Sequence, residues 1–184
     1  MKQPTMSKLT GQVIRVAVAL ALVFGLIAAL PTTTAQAASQ VVVISESQTA
    51  DQIRTAIQSA IDTTARGAAI GITGTKNNLN GSIRLNIPAG ITVYWGAELT
   101  GDYQTIAYGL LDLSGSGKFV IRSGIISNTT AAEGSSVRSD GVDIEVEGGS
   151  VTTVGSVSSA IRSTGNRVTV SGGRVEGVYS AIRG

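Results

Sequence analysis

The sequence predicts an all-β chain wound into a parallel β-solenoid, with one N-terminal capping α-helix. Two observations predict it. The first is a repeat. Val137-Arg138-Ser139-Asp140-Gly141 is written again 24 residues later as Ile161-Arg162-Ser163-Thr164-Gly165, and Ile182-Arg183-Gly184 opens a third copy. Gly148-Gly149 returns as Gly172-Gly173 at the same step. A period of this size marks stacked supersecondary units, each burying its apolar face on the next. The second observation is the hydrophobic period. One stretch near the start is helical in pattern, and from about Gly67 onward the chain alternates with a period of two.

Taken in order, Met1 to Arg15 is polar and carries Lys2, Lys8 and Arg15, and Val16 to Leu30 is an unbroken apolar or small run. Ala35-Gln36-Ala37 is an A-x-A cleavage pattern, so residues 1–37 read as a secretory signal peptide, cut after Ala37 or Ala38. The apolar run is shorter than the roughly 20 residues a membrane-spanning helix needs, so no membrane span is expected once the leader is gone. The address is therefore secreted, extracellular or cell-surface.

The full chain is formally +2, but the leader holds three of the 14 basic residues and none of the 12 acidic ones. The mature chain is −1 on that count and gives no case for nucleic acid as a partner. There is no Cys, so no disulfide staples an exported chain of this kind. With His absent as well, the usual zinc, thiol-nucleophile and Ser-His sites are excluded.

Residues 38–66 read as an N-terminal cap. Val41-Val42-Val43-Ile44 is a short β run. Thr49 and Gln52 have the spacing of a capping box, in which each side chain satisfies a free backbone donor at the helix start. Ile53, Ala56, Ile57, Ala60 and Ile61 follow at i, i+3, i+4, i+7 and i+8, forming one apolar stripe. A helix there would bury the open end of a stack and cover its unpaired strand edges.

Residues 67–184 read as the rungs. Ala69 to Ile72, Ile83 to Ile87, Ile91 to Tyr94 and Phe119 to Ile121 are short alternating strands, with a Pro88-Ala89-Gly90 turn between two of them. Lys118 to Arg122 aligns with Asp143 to Glu147 and with Arg167 to Ser171. Alternation stacks Phe119 and Ile121 over Ile144 and Val146, and these over Val168 and Val170, as an internal ladder. Outside, Lys118, Asp143 and Arg167 share one column, and Arg122, Glu147 and Ser171 share another, so opposite charges face each other across rungs. Ile126, Val151 and Val175 mark a second strand per rung. Val137 and Ile161 mark a third. Gly184 falls just after an Ile-Arg that should open a further rung, and the array is expected to be incomplete at its C-terminus.

The stretch from Ser159 to Val175 (SAIRSTGNRVTVSGGRV) resembles the repeat of secreted bacterial right-handed parallel β-helix proteins, including repeats known as carbohydrate-binding domains. Leu85 to Val93 (LNIPAGITV) resembles the first rungs of pectin-lyase-like surface proteins. The likeness covers roughly residues 83 to 184. It implies a right-handed parallel β-helix and export. For activity it implies less, because such repeats serve lyases, hydrolases, adhesins and stalks alike. In lyases of this kind an Arg or Lys often serves as base, aided by calcium on acidic residues. The companions of that pattern have no counterpart here.

Three groups invite a functional reading. Asp143, Glu145 and Glu147 lie on one face of one strand, suited to calcium or to glycoside chemistry. Cross-rung pairing with Lys118, Arg167 and Arg122 already accounts for two of them, and no aligned column stacks acid on acid as a glycosidase pair would need. No cofactor and no metal site is therefore expected, and no catalytic residue is assigned. Arg138, Arg162 and Arg183 recur at one rung position. Stacked like charges repel, so the column suits an anionic polymer such as an acidic polysaccharide or a cell-wall polymer. The competing reading is a repeat residue whose stem covers apolar surface while its head is solvated. Among the aromatics, Trp95 should point inward by alternation from Ile91 and Val93, and Tyr94 outward as the sugar-stacking candidate.

The function expected is a structural or adhesive role with polysaccharide contact. The alternative is a polysaccharide lyase or glycoside hydrolase of pectin-lyase-like fold, or its N-terminal piece.

Overall fold

The structure, a computed structural model, describes residues 40–184, the side chain of Ile106 excepted. The signal-peptide reading of residues 1–37 lies outside the described residues.

A short strand, β1 (Gln40–Ile44), precedes the helix α1 (Ala50–Thr63). The first rung is β2 (Ala69–Leu79) and β3 (Ile83–Ile87). The second is β4 (Thr92–Trp95), β5 (Glu98–Gly101) and β6 (Thr105–Gly115). The third is β7 (Lys118–Ile121), β8 (Ile125–Asn128) and β9 (Gly134–Asp140). The fourth is β10 (Asp143–Val146), β11 (Ser150–Thr153) and β12 (Ser159–Thr164). The fifth is β13 (Val168–Val170), β14 (Arg174–Gly177) and β15 (Ser180–Arg183).

Every pairing is parallel and joins one rung to the next. The first sheet runs β1-β2-β4-β7-β10-β13, the second β2-β5-β8-β11-β14 and the third β3-β6-β9-β12-β15. The long strand β2 serves two sheets: its first half pairs with β1 and β4, its second with β5. The switch falls between Ile72 and Thr75, where Gly74 adopts φ 99°, and near the strand's end Asn78 adopts φ 52° as the register to β5 shifts. Among the described residues the result is a parallel β-solenoid with one helix, as the repeat and the amphipathic stripe predicted.

The internal ladder has the predicted register. Phe119 lies between Val93 and Ile144, and Ile144 pairs with Val168. Ile126, Val151 and Val175 stack in the second sheet, and Leu111, Val137, Ile161 and Ile182 in the third. Trp95 is fully buried as expected, its ring tilted against Phe119 at 5.9 Å between centroids, with its Nε1–H donating to the Ala97 carbonyl at 2.9 Å. Val170 and Ile182 keep their register but are partly exposed, because they lie on the last rung described and no further rung covers them there.

The first rung is covered sheet by sheet. β1 pairs along the first sheet. Over the second, the Glu46 carboxylate accepts from the Asn77 backbone N–H at 3.0 Å, and the Lys76 ammonium donates to the Glu46 carbonyl at 2.6 Å. Over the third lies α1. Its capping box is formed: the Gln52 N–H donates to Thr49 Oγ1 and the Thr49 N–H to Gln52 Oε1. Its stripe is buried through Ile53, Ile57, Ala60 and Ile61. Gln58, off the stripe, reaches the free edge of β3. Its Nε2 donates to the Asn86 carbonyl at 3.1 Å and its Oε1 accepts from the Asn86 N–H at 2.9 Å. One side-chain amide thus stands in for the neighbouring strand that β3 lacks.

The corner between the first and second sheets is set by stacked glycines. Gly124, Gly149 and Gly173 all adopt positive φ, at 75°, 71° and 72°. A Cβ added at Gly149 would lie 2.6 Å from the Gly124 carbonyl oxygen. The recurring Gly-Gly is therefore required twice, by backbone conformation and by the close approach of the rung below.

Candidate functional site

The three arginines of the repeat are register partners on the third sheet: Arg138 pairs with Arg162, and Arg162 with Arg183. The column continues toward the N-terminal end in a way the repeat did not predict. Arg138 pairs with Asp112, and Asp112 with Arg84. The full outward column is Arg84, Asp112, Arg138, Arg162 and Arg183, one residue per rung at the roughly 4.8 Å spacing of neighbouring strands. The three arginines keep the predicted register, and the longer column they belong to is not purely basic. A carboxylate sits inside it, and the Arg138 Nη1 lies 3.2 Å from its Oδ1.

Two surroundings follow from the position of Asp112. Toward the N-terminal end the charges are internally compensated. The Asp112 side chain is only 11% exposed, and the Arg84 guanidinium lies 3.7 Å from the centre of the Tyr108 ring. Burial raises the Asp112 carboxyl above the usual aspartate range, against the opposing pull of Arg138 and, more weakly, Arg84. Toward the C-terminal end, Arg162 and Arg183 line a cleft of about 360 Å³ with Glu133, Ser158 and Tyr179. Tyr179 is 61% exposed. Two cations, a broad aromatic face and a carboxylate share this cleft. That is a donor set for an anionic group carried on a hydroxyl-bearing ring: guanidinium forks hold carboxylates or phosphates, the ring packs on Tyr179 and Glu133 accepts from hydroxyls.

Tyr94 is not brought to this face. It stands on β4 in the first sheet, half-buried, and the Arg122 guanidinium lies 3.5 Å from its ring centre. Arg122 also donates to Glu147 at 3.0 Å, as the column alignment expected. One face of the Tyr94 ring is thus occupied by a protein cation, which reduces what it can offer a sugar.

The acidic trio is held by its own rungs, with one change of partner. Lys118 stands opposite Asp143 in register, but its ammonium reaches diagonally to Glu145, at 2.5 Å. That hydrogen bond raises the Lys118 pKa. Asp143 instead accepts from the backbone N–H of Arg167 at 3.1 Å, so the expected Lys118–Asp143–Arg167 side-chain pairing is corrected. The long lysine stem finds the diagonal neighbour, and the shorter aspartate turns to the backbone of the next rung. Among the described residues no group of three or more acidic side chains is placed to hold a metal ion.

Sequence reasoning missed Asp112, Arg84, Glu133 and Tyr179. Asp112 lies in Leu110-Leu111-Asp112-Leu113, and its -Leu-Asp-Leu-Ser-Gly run parallels Val-Arg-Ser-Asp-Gly once the glycines are aligned. That parallel was the available signal. Comparison with protein-family models, with curated proteins and with solved structures found no match for this chain.

Proposed function

We propose that this chain is an exported solenoid with a structural or adhesive role, and that the third sheet holds an anionic polysaccharide along Arg138, Arg162 and Arg183. The observation that carries this reading is the in-register stacking of the three arginines, which ends in the cleft shared with Tyr179 and Glu133. Like charges at strand spacing cost stability, and a polymer with regularly placed negative charge offsets that cost. An acidic polysaccharide suits the cleft better than a polyol-phosphate wall polymer, since the latter has no ring to pack on Tyr179. Calcium has no part in this reading.

The second reading is a polysaccharide-cleaving enzyme. It draws on Asp112, a mostly buried carboxyl with a raised pKa beside two guanidinium groups, an environment of the kind catalytic acids occupy. One experiment separates the two. The mature chain is titrated with acidic, neutral and phosphate-based polymers, and each mixture is analysed for new reducing or unsaturated ends. Retention of an acidic polysaccharide without cleavage supports the binding role. Cleavage that is lost in Asp112→Asn supports the enzyme.

A further inference from the structure

We propose that Asn80–Gly81 is a self-modifying site, at which Asn80 is converted to aspartate and isoaspartate in the folded protein without an enzyme. The reaction is independent of the polymer-binding reading. The Gly81 backbone nitrogen gives up its proton and bonds to the Asn80 side-chain carbonyl carbon. The bond from that carbon to Nδ2 breaks and ammonia leaves. Solvent water then opens the five-membered imide at either carbonyl. Opening on one side restores a normal peptide with an aspartate side chain. Opening on the other leaves the chain running through the former side chain as isoaspartate. The sum is amide plus water giving carboxylate and ammonium.

Three observations place this chemistry here and at no other asparagine described. Asn80 is exposed and belongs to no strand, lying with Gly81 between β2 and β3. Its successor is glycine, with φ 125° and only the Ala50 Cβ near the place a side chain would occupy, so no branch shields the attacking nitrogen. Among the described residues, no protein group accepts from the Gly81 N–H or pairs with the Asn80 amide.

The chain carries its own contrast. Asp140–Gly141 is the same type of pair with a carboxyl in place of the amide, and it closes to the same imide with loss of water. There the Gly141 N–H donates to the Thr164 carbonyl of the next rung at 3.2 Å, and Asp140 ends a paired strand. The nucleophile is tied into the stack, so the fold suppresses at Asp140 what it permits at Asn80. Asn86, Asn128 and Asn166 are followed by Ile, Thr and Arg, and each is held by hydrogen bonds.

The product carboxylate would stand in the cleft that Asn80 lines with Arg54, Arg84 and Tyr103. That cleft lies at the Arg84 end of the arginine column, so the modification adds one negative charge where the column begins.

The test is peptide mapping by mass spectrometry on the intact chain, incubated folded and denatured at neutral and mildly alkaline pH. The isoaspartyl and aspartyl forms of each peptide are separated chromatographically. The expected result is progressive loss of the Asn80 amide in the folded chain, at a rate close to that of the denatured chain. The isoaspartyl form should appear, and the rate should rise with pH. Asp140 should form isoaspartate only when the chain is denatured. Gly81→Ala should slow conversion in both states. Because the folded and denatured comparison uses the natural chain, it stands even if Gly81→Ala does not fold. Retention of the Asn80 amide in the folded chain, while the denatured chain loses it, would overturn the proposal. So would conversion to aspartate alone, which bypasses the imide.

Discussion

Asp112 and Arg138 are register partners on adjacent strands, joined at 3.2 Å, with side chains 11% and 27% exposed. The carboxylate of Asp112 is thus held between Arg84 and Arg138 in a setting that withdraws water from it. Burial is the larger influence on its pKa and raises it.

The sign of the resulting pH dependence follows from linkage. A carboxyl whose folded pKa exceeds its unfolded value binds more protons in the folded state. Its contribution to stability is therefore complete below the unfolded pKa and is lost as pH rises through the folded one. Thermal melts across the acid range should show this loss in the natural chain and its absence in Asp112→Asn. Arg138→Ala removes the main influence holding the pKa down, so the falling limb should move to higher pH. A limb that stays in place in Arg138→Ala would show that the ion pair does not govern this carboxyl.

The edge of β3 gives a second prediction. Gln58 satisfies both backbone groups of Asn86 through one amide. Gln58→Ala leaves the Asn86 N–H and carbonyl to water or unpaired, a loss of about 1–2 kcal/mol for the hydrogen bonds removed. Gln58→Glu keeps the acceptor and loses the donor, so it should fall between the natural chain and Gln58→Ala. Denaturant titration reads the difference. Amide hydrogen exchange at Asn86 should speed up in Gln58→Ala. Unchanged exchange there would show that the helix does not seal this edge.

In the core, Trp95 contributes through packing and through one hydrogen bond to Ala97. Trp95→Ala should destabilise by about 3–5 kcal/mol, the usual range for deleting a large buried aromatic. Trp95→Phe keeps most of the apolar contact and loses one hydrogen bond to an Ala97 carbonyl that still accepts from the Ile125 N–H, at a cost of about 0.5–1.5 kcal/mol. Equal losses in the two variants would mean that packing carries none of the effect.

The residues that made the fold legible are those fixed by the period. Phe119 over Ile144 over Val168 follows from alternation alone, since a one-residue slip would send the whole ladder to solvent. The helix was legible because Thr49, Gln52 and the isoleucine stripe act within one element. β5 and β6 were not, because their rung is irregular. β6 runs eleven residues, and its pairing with β9 slips between Thr105 and Gly109. An insertion there breaks the sequence period while leaving the stack intact. Asp112 was hidden because Gly115 and Gly141 are 26 residues apart rather than 24, so a fixed period does not place it over Arg138. The Lys118–Glu145 diagonal depends on side-chain length rather than register, and no alignment of columns contains it.

The arginine column gives the last prediction. Exposed charges act within a Debye length of about 8 Å at physiological ionic strength, so polymer affinity should fall steeply with salt. The five positions are not equivalent. Arg138 lies outside the cleft that Arg162 and Arg183 line with Tyr179. Arg162→Ala and Arg183→Ala should therefore each weaken binding more than Arg138→Ala. Asp112→Asn should strengthen it, because it removes the one negative charge from the column. Lysine at 162 and 183 should retain the salt dependence and lose affinity, since an ammonium cannot hold a carboxylate in the paired geometry of a guanidinium. Tyr179→Ala should reduce affinity for an acidic polysaccharide while sparing that for polyphosphate, which has no ring to pack. These affinities are read by titration at low and high salt. Binding indifferent to salt and to the paired Arg162→Ala, Arg183→Ala change would return the column to solvated surface and leave the solenoid without its proposed ligand.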